Sequence, residues 1–210
     1  MYPRIRAILF LLENKCMFVY IRSVARHKTI SDEALLDGLM SAITEHGPAG
    51  LTFAGAAAAV TLSPSTLVQR FGSREAMVEA ILLRAWDRLD AATSAADATA
   101  APGAAGAVDL LMSLMPAETV EHAMLEGLLL LREDFRNPRL RARGKAWGDC
   151  LAVALGQRLN GDVQEGLRLG WQMARVWQGA LLWWAFTRHD RPEVAIRTAL
   201  EDWCQTAVAS

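Results

Sequence analysis

Between Thr52 and Arg74, in TFAGAAAAVTLSPSTLVQRFGSR, lie the residues of this chain best equipped for polar recognition. Thr52, Ser63, Ser65, Thr66, Gln69, Arg70 and Arg74 supply hydroxyl, amide and guanidinium groups in close succession. A glutamine side chain matches the paired donor and acceptor of adenine, and an arginine matches the two acceptors of guanine. Hydroxyls and freed backbone N–H groups at a helix start suit phosphate oxygens. No comparable set suits catalysis. His27, His46, His122 and His189 stand alone or near helix ends, with no Ser-His-Asp order and no paired-histidine ligand spacing. No phosphate-cradling glycine loop is present, so an enzyme is not expected. Cys16, Cys150 and Cys204 are too far apart in sequence for a metal motif, so neither metal nor cofactor is expected.

Short helices must position the polar set. Thr52 is an N-cap type of residue, and Phe53, Ala56, Ala57 and Val60 follow at helical spacing. Thr61-Leu62-Ser63 interrupts this pattern. Ser63-Pro64 restarts a helix, the serine as cap and the proline at a position whose missing N–H costs nothing. Leu67 and Phe71 give the second helix one apolar face, and Gly72-Ser73 ends it and caps a longer one. Helices this short are unstable alone and must brace each other against neighbours. The arrangement predicts a helix-turn-helix, whose second helix enters the major groove of DNA, although pattern alone equally fits a plain helical hairpin.

The residues themselves narrow the choice. Thr52-Phe53, Ala57, Leu62-Ser63, Thr66-Leu67, Phe71 and Ser73-Arg74-Glu75-Ala76-Met77 resemble the DNA-binding signature of TetR-family transcriptional regulators, over a stretch from residue 29 to 89. The resemblance implies an all-α chain, with an N-terminal three-helix helix-turn-helix domain and a C-terminal helical domain for ligand binding and dimerisation. It implies a ligand-responsive regulator, a repressor in most of the family, that binds a palindromic double-stranded operator as a homodimer. Residue by residue, it places Thr52 on a phosphate. Ser63, Pro64, Ser65, Thr66, Val68, Gln69 and Arg70 would face the major groove, and Arg74 would hold the DNA backbone. The helix after the motif would transmit ligand binding to the DNA-binding half. The sequence departs from the family pattern at Thr61, where a turn glycine is usual, and at Ser65, Val68 and Arg70. These positions bear on DNA contact more than on the core. The acidic balance of the module supports an alternative, the same fold with a decayed DNA module acting as a helical ligand- or protein-binding dimer.

Composition sets the frame. With 210 residues, 52% of them hydrophobic, the chain can bury a sizeable helical core. A net charge of −1 does not advertise nucleic-acid binding. Residues 1–28 hold six basic side chains against Glu13, a balance of +5, and form a basic, partly apolar extension. Residues 29–89, the expected DNA-binding domain, hold four arginines against seven carboxylates, a balance of −3. Residues 90–210 form the expected regulatory and dimerisation domain. The apolar runs Ala7–Leu12 and Met17–Ile21 are too short to span a membrane and lack the features of a secretory signal, so no membrane partner is expected. Translation from Met17 is an alternative start. An odd, scattered set of cysteines suits a reducing cytoplasm, with the thiols buried as small hydrophobes.

Helix signals continue down the chain. A first helix is expected from the Ser31 cap, carrying Leu35, Leu36, Leu39, Met40 and Ile43, to a stop at His46-Gly47-Pro48. The helix starting at Ser73 is expected to end near Ala95, with Ala91–Ala107 a low-complexity loop. Further helices are expected over residues 108–115, 118–135, 138–159, 162–187 and 193–207. Arg139, Arg141, Arg143 and Lys145 read as a solvated face. Leu181, Leu182, Trp183 and Trp184 cover more than one helix face, so the last two helices are expected to dimerise as a four-helix bundle. Met112, Met115, His122, Met124, Trp147, Trp171, Met173 and Trp177 are candidates to line a pocket for a small apolar or aromatic effector.

Overall fold

N-caps punctuate the chain where the sequence places them. The computed structural model describes residues 30–115 and 130–207, and every regular element among them is a helix. These are α1 (Asp32–Gly50), α2 (Phe53–Ala59), α3 (Pro64–Phe71), α4 (Arg74–Thr99) and α5 (Gly103–Ser113). They continue as α6 (described over 130–136), α7 (Pro138–Leu159), α8 (Val163–Thr187) and α9 (Pro192–Ala207). Ser31, Thr52, Ser63, Ser73, Asn137 and Asp162 each accept a hydrogen bond from a backbone N–H of the first turn that follows. The expected stop at His46-Gly47-Pro48 is a kink. Gly47 takes φ 66°, and the helix resumes at Pro48 for one more turn.

One expectation is corrected and a second is extended. The alanine-rich stretch 91–107 is mostly helical, because α4 runs on to Thr99 and α5 begins at Gly103. Alanine is the strongest helix former, so low complexity there is not loop character. Secondly, the basic run of α7 is solvated at Arg139, Arg141 and Lys145, as expected, but it also ties α7 to α4. Arg139 pairs with Glu79, and Arg143 pairs with Asp90 and, at 3.1 Å, with Asp87, all on α4. Farther along, Arg158 pairs with Asp97 and donates to the Ala100 and Ala101 carbonyls at 3.1 Å each. Lys145 alone keeps to its own helix, at Asp149. The expectations for residues 1–28 and 118–129 lie outside the described residues.

The core has two parts sharing α4. Leu35, Leu39 and Ile43 of α1, Leu67 of α3, and Met77 and Ile81 of α4 are fully buried around the first three helices. Leu110 and Leu111, Leu151 and Leu155, Met173, Ile196 and Leu200 fill the larger part between α5, α7, α8 and α9. There α7 and α8 touch backbone to backbone. A Cβ added to Gly170 would lie 2.0 Å from the Ala152 carbonyl oxygen, and one added to Gly156 would lie 2.3 Å from that of Gly166. Cys204 is buried, which pushes its thiol pKa up, but Cys150 is exposed, against the expectation of uniformly buried thiols. None of the described helices is long and apolar enough to cross a membrane.

The close α7–α8 contact makes a direct prediction. Gly170→Ala should destabilise the protein by about 1–3 kcal/mol through overpacking. Gly161→Ala, where an added Cβ meets nothing within 4 Å, should change stability by less than about 0.5 kcal/mol. Urea unfolding of the two variants measures both.

Candidate nucleic-acid interface

The turn between α2 and α3 closes as a Schellman motif. Leu62 N–H reaches the Ala57 carbonyl at 3.0 Å and Thr61 N–H reaches that of Ala58 at 3.4 Å. Thr61 occupies the left-handed position at φ 55°, where glycine is the unstrained choice. Ser63 then caps α3, accepting from Thr66 N–H at 3.1 Å, and its hydroxyl lies 2.8 Å from those of both Ser65 and Thr66. Leu67 is fully buried and anchors the helix against the module. Ser63, Pro64, Ser65, Thr66, Val68 and Gln69 are exposed together on the other side, and Thr52 is exposed at the start of α2. Seven of the nine candidate residues thus lie at the surface, six of them in one continuous stretch of the α3 side.

The two arginines are differently placed. Arg70 is half-buried and ion-paired with Asp32 in the first turn of α1, so its guanidinium leans toward a carboxylate of the same module. Arg74 was expected on the DNA backbone. Its Nε donates to the Leu51 carbonyl at 2.7 Å, and a second guanidinium nitrogen donates to the Pro48 carbonyl. Both carbonyls belong to the junction of α1 and α2, which Arg74 therefore staples to the start of α4. A second tie joins Arg84 of α4 to Asp37 of α1 in a bidentate pair at 2.9 Å for both bonds. The Arg84 guanidinium holds the Asp37 carboxyl below its ordinary value, and Arg84 is raised in turn.

A cavity of about 850 Å³ opens among α4, α6, α7 and α8. Of the expected pocket residues, Trp147 and Trp177 are in its wall. Met115 and Met173 are buried in the core, and Met112 and Trp171 are half-buried away from the cavity, with Arg175 over the Trp171 ring at 5.6 Å. His122 and Met124 lie outside the described residues. Trp86 and Asp134 are wall residues that sequence reasoning missed. Trp86 stands one turn from Leu82 and Leu89 on the same helix, and this spacing was the available signal. Its indole N–H donates to Asp134 at 3.0 Å, and its ring lies 5.7 Å from that of Trp147. Trp147 in turn donates to Thr93 at 3.0 Å, joining α7 to α4.

The outer face of α8 exposes Leu182, Trp183 and Phe186, the last two with ring centroids 5.7 Å apart. Trp184 turns inward and donates to the Asp190 carbonyl at 2.9 Å. The outward face of α9 is polar, with Arg197, Thr198, Glu201, Asp202 and Gln205 around Val194, so the expected apolar surface belongs to α8.

Thr61→Gly should stabilise the protein by about 0.5–1 kcal/mol, relief of the left-handed strain exceeding the entropy of glycine. Arg74→Lys keeps the charge but loses the fork, and should cost about 1–3 kcal/mol in urea unfolding. Unchanged stability of the lysine variant would show that the carbonyl contacts hold nothing together.

No protein-family model matches the chain, and no curated protein matches it. Solved structures do. A transcriptional regulator from Rhodococcus sp. is similar at a TM-score of 0.71 and 18% identity, over 86% of this chain and 97% of its own. A TetR transcriptional regulator from Legionella pneumophila is similar at a TM-score of 0.60 and 18% identity, over 83% and 98%. A TetR-family transcriptional regulator from Thermus thermophilus is similar at a TM-score of 0.55 and 21% identity, over 84% and 97%. Identities this low speak to architecture, and the architecture of this chain is that of the TetR-family transcriptional regulators.

Proposed function

We propose that this chain is a ligand-responsive DNA-binding transcriptional regulator, a repressor, that binds a palindromic operator as a homodimer. The single observation that carries the reading is the exposed, braced polar face of α3, from Ser63 to Gln69, on a fold shared with transcriptional regulators. In this reading α3 enters the major groove. Gln69 reads adenine, Arg70 reads guanine once it leaves Asp32, and the Ser65 and Thr66 hydroxyls and Val68 complete the base-facing surface. Thr52 contacts a phosphate, and Arg74 supports the face from behind by holding the α1–α2 junction. The exposed aromatic patch of α8 supplies the dimer contact, which sets two α3 helices about 34 Å apart, one turn of DNA. The cavity beside α4 holds the effector, an apolar or aromatic small molecule, whose binding moves α4 and with it the half-site spacing. The location is cytoplasmic.

One observation favours a second reading. The Arg70–Asp32 pair in a module of net negative charge is what a helical dimer with a decayed DNA module would also show.

Fluorescence anisotropy with a labelled duplex from the region upstream of the coding sequence, at two salt concentrations, separates these readings. A regulator gives saturable, salt-sensitive binding that survives excess unrelated DNA. A lack of preference over unrelated DNA, in this duplex and in a selection from genomic fragments, would leave the second reading. Arg70→Ala should cost about 1–3 kcal/mol at one base pair and relax specificity there. Asp32→Asn should instead strengthen binding to all duplexes, by about threefold to tenfold, as a like charge is removed beside phosphate and Arg70 is released.

A further inference from the structure

We infer that the cavity beside α4 takes an aromatic organic cation, recognised by Asp134 within a wall of tryptophans. The inference rests on the proposed effector site and names its ligand class. Asp134 is 9% exposed, and its one hydrogen bond to a described residue is from the Trp86 indole. No described lysine or arginine pairs with it. Arg141, also in the wall, instead donates to the Phe135 carbonyl at 2.6 Å. Burial is the main cause that raises the Asp134 carboxyl above its ordinary value, and Glu133 adds to it. A buried carboxylate without a cation costs stability, and no described cationic side chain answers this charge.

The rest of the wall suits the same ligand. Trp86, Trp147 and Trp177 all line the cavity, and indole rings attract a cation through their quadrupoles and stack on an aromatic body. The Trp86 and Trp147 indole N–H groups are both bonded, whereas that of Trp177 is buried without a partner among the described residues. Gly144 lets the Trp86 ring lie against α7, since a Cβ there would come within 3.0 Å of it.

The test uses the full-length protein without DNA and isothermal titration at pH 8. The probes are 10-methylacridinium, neutral acridine and acridine-9-carboxylate, which share a ring system and differ in charge. The expected result is binding of the cation at least tenfold tighter than of acridine, with the anion weakest. Asp134→Asn should abolish that preference, and Asp134→Glu, which keeps the charge, should retain it. Asp134→Asn should also raise the unliganded thermal midpoint by about 2–4 °C at neutral pH, an effect that fades as the pH falls and the wild-type carboxyl protonates. Equal binding of the three acridines would overturn the cation assignment while leaving an aromatic effector cavity in place. A cation preference that survives in Asp134→Asn, or no binding of any probe, would overturn it too. The DNA-binding reading stands or falls separately, on the anisotropy measurement.

Discussion

The ion pairs between α4 and α7 are the constraint on which the rest of the structure depends. α4 is long, about 39 Å from end to end at 1.5 Å per residue, and it contributes to both parts of the core. Its first turn carries Arg74, which grips the carbonyls at the α1–α2 junction. Its middle carries Trp86 in the cavity wall. Along the way Glu79, Asp87, Asp90 and Asp97 each meet an arginine of α7. Single exposed ion pairs are worth little, but these are spread along one helix and several are part-buried, so together they fix its position against α7. In the proposed function, a shift at the cavity would reach the junction behind α3 through this helix. One continuous helix thus carries both Arg74 at the junction and Trp86 in the cavity wall.

The polar face of α3 is short of charge. Its side chains are hydroxyls, an amide and one aliphatic group, with the nearest arginine held by Asp32. Sequence-independent attraction to phosphate, which dominates most DNA binding, is correspondingly weak for this module. If α3 enters DNA as proposed, such a face would gain selectivity from hydrogen bonds to bases. The hydroxyl cluster around Ser63 shows how far it is organised without DNA, since one side chain caps the helix and orients two others.

Much of this was legible in the sequence because caps and breakers are local. Ser31, Thr52, Ser63-Pro64, Gly72-Ser73, Asn137-Pro138 and Asp162 mark helix ends by their own hydrogen bonding, which no distant residue overrides. Thr61 stood out for the same reason, a residue unsuited to the left-handed turn it occupies. What was not legible depends on partners far along the chain. The pairing of Arg139 and Arg143 with carboxylates of α4, and the bonds of Arg74 to the junction carbonyls, need partners that the local sequence does not show. Nothing local in the sequence marks Asp134; the fold buries it beside Trp86. The alanine-rich stretch was misread because its composition suggested flexibility, while the propensity of alanine and the Arg158 clamp both favour helix.

In the proposed function, α4 acts as one rigid element joining α3 to the cavity. Amide hydrogen exchange along residues 74–99, followed by mass spectrometry, tests it most directly. Peptides from both halves of α4 should exchange slowly and together, apart from fraying of the last turn at Thr99. Fast exchange from residue 91 onward, with protection confined to the first half, would contradict it. In that case the cavity and the helix-turn-helix would be separately stable parts with no rigid element between them.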